Sequence, residues 1–197
     1  MEHIQSSTPK IIRETSRGLS THDIVDEMLQ DREIVCAGPI TPQSANSLIL
    51  QLRYLQKASP GETITMYLNT PGGEVQSGLA IYDTMRAIGC PIRTVCLGTA
   101  ASMGALLFIA GDQRDMLPHS KVLIHDPRIP EGAGGTALEL HAMSENLMRV
   151  REITAQVIAE RTGRSLEEVY QATAHDSIFE APEAVEYGLA DRIIDQL

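Results

Sequence analysis

Apolar positions along the chain alternate between two periods. Short runs such as "EIVCA", "TITMYLN" and "IRTVCLG" are rich in β-branched residues, which is typical of strands. The segments between them place apolar residues three or four positions apart, which is typical of helices packed on a sheet. We predict strands at 32–38, 63–69, 92–98, 121–125 and 190–197, and helices at 42–58, 74–88, 101–111 and 181–188. This order predicts an α/β fold with a largely parallel sheet.

The alternation stops after residue 127. A segment rich in glycine, "RIPEGAGG", precedes one helical pattern that runs from about Thr136 to Arg161. A helix of that length spans roughly 39 Å, which is long beside a domain of this size. We expect it to project and to pack on another subunit; the alternative is that it lies across its own sheet. Ser165 and Glu168 then form a capping box that begins another helix.

Composition excludes several classes of protein. The chain has 197 residues, of which 43% are hydrophobic and 21% charged, so one globular domain is expected. A net charge of −10, two Phe and no Trp argue against nucleic-acid binding. No apolar stretch has the roughly 20 residues of a membrane span, and the N-terminus lacks a hydrophobic signal core. Cys36, Cys90 and Cys96 match no metal-ligand spacing, so we expect reduced thiols in the cytoplasm and no metal.

The segment "TAASMGALLFIAG" carries the first candidate for chemistry. Ser102 lies among small residues at the head of an apolar run, either as a helix N-cap or as a nucleophile that a substrate approaches closely. A serine nucleophile needs a base, and His125 ends the strand "KVLIH", where the sites of α/β sheets collect. The alternative for His125 is a structural role at a strand end.

An orienting acid and oxyanion donors are harder to choose from the residues. Asp126 adjoins His125 but would project to the opposite side, whereas Asp176 follows a helix at a plausible buried position. Three other aspartates are equally open: Asp112, Asp115 and Asp191. Gly72 and Gly73 in "LNTPGGEV" offer backbone N–H groups between a strand and a helix, although a turn would also use them. The chain lacks a G-x-S-x-G elbow, a P-loop and a G-x-G-x-x-G motif.

Four segments together resemble the proteolytic-subunit family of the Clp protease, the ClpP family. They are "LNTPGGEVQSGLAIYDTM", "TVCLGTAASMGALLFIAG", "LPHSKVLIH" and "EAPEAVEYGLADRII", and the likeness runs in order over nearly the whole chain. The resemblance implies a serine endopeptidase with Ser102 as nucleophile, His125 as base and Asp176 as orienting acid. It also implies that the backbone N–H groups of Gly72 and Met103 form the oxyanion hole, and that this subunit holds no cofactor.

The resemblance further implies a crotonase-like spiral of ββα units in one domain over 1–197. An arm at 1–24 would line an axial entrance, a head would comprise 25–126 and 165–197, and 127–164 would form a projecting handle. Two rings of seven subunits would stack through the handles into a tetradecamer. A AAA+ unfoldase such as ClpX, ClpA or ClpC would dock near Tyr67, use ATP and feed unfolded polypeptides for protein quality control. Neither nucleic acid nor a membrane is an expected partner.

The chain departs from the family pattern at four places. Asp126 replaces a glutamine, 128–131 replace a glycine-rich strand, Thr65 replaces an aromatic residue, and His175 replaces an arginine that pairs across the rings. Since histidine loses its charge as pH rises and arginine does not, ring contact through His175 would weaken between about pH 6 and 8. Two alternatives stay open: a regulatory or weakly active ClpP paralogue in mixed rings, and a crotonase-type acyl-CoA enzyme.

Overall fold

The computed structural model describes residues 10–16, 18–129 and 134–197. Within these ranges the elements follow one another in this order: β1 (Lys10–Thr15), β2 (Gly18–Asp23), α1 (Ile24–Gln30), β3 (Glu33–Ala37), α2 (Pro42–Ala58), β4 (Ile64–Thr70), α3 (Val75–Ala87), β5 (Ile92–Ala101), α4 (Met103–Ile109), β6 (Gln113–Met116), β7 (Lys121–Ile124), α5 (Ala137–Thr162), α6 (Leu166–Thr173), β8 (Ser177–Glu180), α7 (Ala181–Tyr187) and β9 (Arg192–Ile193).

The main sheet is parallel along most of its width, as the strand and helix order predicts. Its strands follow the order β3, β4, β5, β6 and β9, with β7 also beside β5 and β8 antiparallel to β7. The mixed α/β architecture and the parallel sheet confirm the predicted fold class.

Strand β5 links two parts of this sheet. Its first half pairs with β6, whereas its last three residues, Thr99–Ala101, pair with β7. A register irregularity against β4, between Leu68 and Thr70, lies in the same region. The C-terminal ends of β5 and β7 therefore lie side by side, and the residues that follow them are Ser102 and His125.

Two strands of the main sheet escape the sequence prediction because they are short and poorly patterned. Strand β6 is the polar segment "QRDM", and β8 is "SIFE". Neither offers the run of alternating apolar residues by which a strand is recognised. Their conformation follows from backbone pairing with distant neighbours, since β6 lies between β5 and β9 and β8 adds to β7.

The predicted helix boundaries agree closely with the structure. Thr41 caps α2 by accepting from the Ser44 N–H, and capping boxes begin α5 at Thr136 and α6 at Ser165. The exception is α4, which begins at Met103 and not at 101, because Ala101 still pairs with Leu123 of β7. Every residue of α4 is buried, so this short helix occupies the centre of the core.

Helix α5 has two halves of different character. Its buried residues, Val150, Ala155 and Ile158, all lie in the C-terminal half. In the N-terminal half apolar side chains face outward, and Leu138 is 81% exposed. The C-terminal end is anchored where Arg161 Nε donates to the Ile109 carbonyl at 2.7 Å. The C-terminal half of α5 thus packs on its own domain, whereas the N-terminal half exposes its apolar side chains.

The N-terminal arm has more order than its composition suggests. Strands β1 and β2 form an antiparallel hairpin within the arm at 1–24, where the sequence analysis predicts no strand. The hairpin is fastened to α1 because Arg13 forms an ion pair with Glu27, a buried carboxylate. The earliest part of the arm, 1–9, lies outside the described residues. No helix in the described ranges combines the length and apolarity needed to cross a membrane.

Candidate active site

Ser102 lies at a sharp turn from β5 into α4. Its backbone has φ 56° and ψ −122°, a region that non-glycine residues rarely occupy and that costs about 1–3 kcal/mol. Its N–H donates to the Leu123 carbonyl at 2.9 Å, which continues the β5–β7 pairing by one residue. The Ser102 hydroxyl makes no cap hydrogen bond to the helix. The interpretation of Ser102 as a side-chain cap is therefore wrong, and its hydroxyl is presented at the apex of a strained turn.

Gly72 packs directly against this turn. Its φ is +85°, and a Cβ at this position would lie 2.8 Å from Ser102 Cβ and 3.0 Å from Met103 N. No side chain fits between these backbones, so only glycine allows the approach. The Met103 N–H belongs to the first turn of α4, where helix geometry supplies no acceptor. The Gly72 N–H, by contrast, donates to Thr70 Oγ1 at 3.1 Å.

His125 faces the same cavity as Ser102. It follows β7, and because β7 runs parallel to β5, both residues lie at the same edge of the sheet. The cavity has a volume of about 270 Å³, and its lining includes Ser102, His125 and Arg128 together with apolar side chains such as Val75 and Ile158. An apolar pocket with a hydroxyl, an imidazole and a guanidinium at its wall is suited to binding part of a peptide.

The tautomer of His125 follows from its hydrogen bond. His125 Nδ1 lies 2.6 Å from the Asp126 carbonyl oxygen, which can only accept. Nδ1 therefore carries a proton, and in the neutral imidazole the lone pair is then on Nε2. That is the tautomer a general base requires.

Asp176 is positioned beside His125 by the β7–β8 pairing. Ile124 pairs with Ser177 in antiparallel register, so the next residues along each strand are His125 and Asp176. The Asp176 carboxylate is nevertheless bound to Arg128. Among the described residues, no ion pair within 4.0 Å joins His125 to Asp176, and no hydrogen bond joins Ser102 to His125. The structure thus places Ser102 and His125 on one cavity and the backbone of Asp176 beside that of His125, while the Asp176 carboxylate binds Arg128, which sequence reasoning did not single out.

Asp126 has structural partners on α5 and α6. Its Oδ2 accepts from Arg151 Nε at 2.6 Å, and its Oδ1 accepts from Thr173 Oγ1 at 2.7 Å. The Asp126 N–H also donates to the Thr173 carbonyl at 2.7 Å. The residue whose carbonyl holds His125 is therefore itself held by α5 and α6.

The other candidate aspartates have structural partners away from the cavity. Asp112 accepts from the Ile92 N–H at 2.9 Å, and Asp191 accepts from the Arg114 N–H at 2.7 Å. Asp115 is fully buried beneath Arg93 and Arg192. Burial alone would raise the pKa of Asp115, but hydrogen bonds from both arginines and from Gln113 lower it below its ordinary value. None of these three lines the cavity with Ser102.

The remaining candidates from the sequence, His175 and the three cysteines, do not line the cavity. His175 is exposed. All three cysteines are free and buried, and burial raises the pKa of Cys36 and of Cys96 to about 11, so these thiols stay protonated. The described residues contain no group of three or more His, Cys, Asp or Glu side chains arranged to hold a metal ion.

Fold and cavity together define a class: an α/β protein that presents a serine at a strained strand-to-helix turn beside a histidine. Comparison with known families narrows that class. A family model described as Clp protease matches residues 16–197, which is nearly the whole chain. The chain therefore belongs to the Clp protease family, and the resemblance seen in the sequence is confirmed. Membership makes it a peptidase-type hydrolase of the ClpP fold.

Proposed function

We propose that the chain is the serine endopeptidase subunit of a compartmentalised, ATP-dependent protease. The observation that carries this proposal is the Ser102 hydroxyl, which caps no helix and lies at a strained turn facing the cavity that His125 also lines. Backbone strain at one polar residue is characteristic of functional sites. Ser102 is the proposed nucleophile, His125 the base and Asp176 the orienting acid.

The proposed reaction is acyl transfer to Ser102 followed by hydrolysis. His125 Nε2 takes the hydroxyl proton as Ser102 Oγ attacks the scissile carbonyl, and the resulting oxyanion accepts hydrogen bonds from the N–H groups of Met103 and Gly72. For Gly72 this requires its N–H to exchange Thr70 Oγ1 for the oxyanion. His125 then donates the proton to the leaving amine, and water releases the acyl group by the reverse roles. The chemistry needs no cofactor in this subunit.

The exposed half of α5 supports assembly into stacked rings. Its outward apolar side chains have no partner in the described part of the chain, and burying them against a second helix would remove them from water. They are Leu138, Leu140 and Met148. We infer two heptameric rings joined through these helices, with the cavities inside.

A second cavity supports docking of a AAA+ unfoldase such as ClpX, ClpA or ClpC. It has a volume of about 210 Å³ and lies around Tyr67 of β4, with Val35 of β3, Leu97 of β5 and Met28 of α1 also in its lining. Tyr67 is fixed there because its hydroxyl donates to Glu33 Oε1 at 2.9 Å. An apolar side chain of the unfoldase fits this lining, and the unfoldase would use the ATP. The buried, protonated thiols suit a reducing compartment such as the cytoplasm.

Covalent labelling of the purified full chain tests the proposed chemistry. A fluorophosphonate should label wild type and not Ser102→Ala, and Ser102→Ala should lose peptidase activity by several orders of magnitude. A crotonase-type acyl-CoA enzyme needs no serine nucleophile, so absence of labelling in wild type would reject the protease. Labelling without peptidase activity until a second ClpP paralogue is added would instead identify a subunit of mixed rings.

Substrate size tests the proposed chamber. Short fluorogenic peptides should be cut while folded proteins resist, because access to the cavity limits the reaction. Removing residues 1–20, which include all of β1 and half of β2, should relax the restriction. Efficient digestion of folded proteins by a monomer without ATPase would contradict the chamber.

A further inference from the structure

Arg128 forms an ion pair with the proposed acid, Asp176. It lies three residues after His125, lines the cavity, and binds the Asp176 carboxylate through its guanidinium. The pairing of β7 with β8 brings Asp176 alongside His125. The Asp176 carboxylate thus has two neighbours that could donate to it, the Arg128 guanidinium and the His125 imidazole. In the structure it is bound to Arg128.

The His125 N–H, which would donate to Asp176 in a catalytic triad, also has another partner. His125 Nδ1–H donates to the Asp126 carbonyl and not to a carboxylate. The two groups that replace the histidine–aspartate contact, Arg128 and the Asp126 carbonyl, both belong to the segment that leaves β7. A single displacement of 126–128 would free the carboxylate and the imidazole N–H together, after which they could bond to each other.

The Arg128–Asp176 pair is weak enough to exchange. The side chains are 63% and 49% exposed, and ion pairs at such exposure contribute little because water and salt screen them.

We propose that Arg128 is a positioning residue that withholds Asp176 from His125, so that the endopeptidase is held at low activity while the Arg128–Asp176 ion pair is formed. This inference rests on the proposed function, because it concerns the regulation of that same site. Arg128 touches neither substrate nor reacting atoms in this role; it acts through Asp176.

The test compares Arg128→Gln, which removes the charge, with Arg128→Lys, which keeps it. Arg128→Gln should raise kcat for a fluorogenic peptide about three- to tenfold, with a smaller change in KM, because a weak competing ion pair is removed. Arg128→Lys should stay near the wild-type rate. The matched control is Arg53→Gln, an exposed arginine of α2 outside the cavity, which should leave kcat unchanged. Sedimentation of each variant shows that ring assembly is equal.

The same substitutions made in the Asp176→Asn variant show whether Arg128 changes the activity through Asp176. Fluorophosphonate labelling of Ser102 is the readout there, since it stays measurable at low reactivity. The gain from Arg128→Gln should vanish in this background, and a crystal structure of Arg128→Gln should show Asp176 within hydrogen-bond distance of His125. An unchanged or lower kcat in Arg128→Gln, or an equal gain without Asp176, overturns the proposal. Failure of wild type to label at all would overturn the proposed function itself.

Discussion

Arg151 joins Asp126 to Tyr170. Its Nε donates to Asp126 Oδ2 at 2.6 Å, and its guanidinium lies 4.1 Å from the centroid of the Tyr170 ring. Asp126 belongs to the segment that follows β7, Arg151 to α5 and Tyr170 to α6. The Arg151 side chain therefore connects the residue after His125 to both helices. A shift of α5 at Arg151 would be transmitted to the candidate site through this contact.

Replacing Arg151 should loosen this coupling. We expect Arg151→Ala to lower the free energy of unfolding by about 2 kcal/mol, because a partly buried charge-assisted hydrogen bond and a cation–π contact are both lost. Thermal or urea unfolding of the assembled protein measures the effect. Arg149→Ala removes an exposed arginine of the same helix and should change stability little. Equal losses in the two variants would show that the Asp126 contact contributes nothing specific.

The strain at Ser102 predicts a difference between two inactive variants. The free energy of unfolding of Ser102→Gly should be about 1 kcal/mol higher than that of Ser102→Ala. The reason is that glycine adopts φ 56° and ψ −122° without a Cβ clash. Both variants lack the hydroxyl, so neither should be labelled by a fluorophosphonate. Urea unfolding of the pair is the measurement, and greater stability of Ser102→Ala would mean that the turn is not strained.

The contact between Gly72 and the Ser102 turn predicts a steric effect that a second glycine can calibrate. Gly72→Ala places a Cβ 2.8 Å from Ser102 Cβ at φ +85°, whereas Gly61→Ala meets nothing within 4 Å at φ +82°. Both pay the same backbone strain, about 1–2 kcal/mol, so any excess in Gly72→Ala measures the clash. We expect that excess to be at least about 1 kcal/mol, with loss of Ser102 labelling. Similar stability and labelling in both variants would refute the close packing.

Asp115 predicts a pH-dependent contribution to stability. Asp115→Asn should cost about 3 kcal/mol at pH 7, because it leaves Arg93 and Arg192 without their buried carboxylate. Since the pKa of Asp115 is lowered in the folded state, its contribution is complete above the ordinary carboxylate pKa of about 3.9. It is lost as pH falls from there through the lowered value.

Urea unfolding at several pH values tests the sign of this effect. The difference between wild type and Asp115→Asn should stay constant from pH 7 to about pH 5 and shrink below about pH 4. Asp83→Asn is the control, since Asp83 is exposed on α3. A difference that grows towards acid would mean that the buried carboxylate is destabilised by its surroundings.

Elements whose signals are local were predictable from the amino-acid order. The capping residues Thr41, Thr136 and Ser165 begin α2, α5 and α6, because a cap depends on atoms within three residues of itself. The β-branched runs located β3, β4 and β5 for a similar reason. Ser102 and His125 could be nominated because they lie directly at strand ends, and the likeness to a family selected Asp176 among several aspartates.

Pairings between distant segments could not be obtained in this way. Strand β8 forms only because it adds to β7, some fifty residues earlier, and its own four residues carry no adequate pattern. The same pairing brings Asp176 beside His125, yet the partner of the carboxylate is Arg128, which the sequence marked only as part of a segment that departs from the family pattern. A salt bridge depends on where two chains meet in space, and the energy differences among nearby partners are small. Local order therefore specifies the elements and candidate side chains, and packing between elements specifies which of those side chains touch.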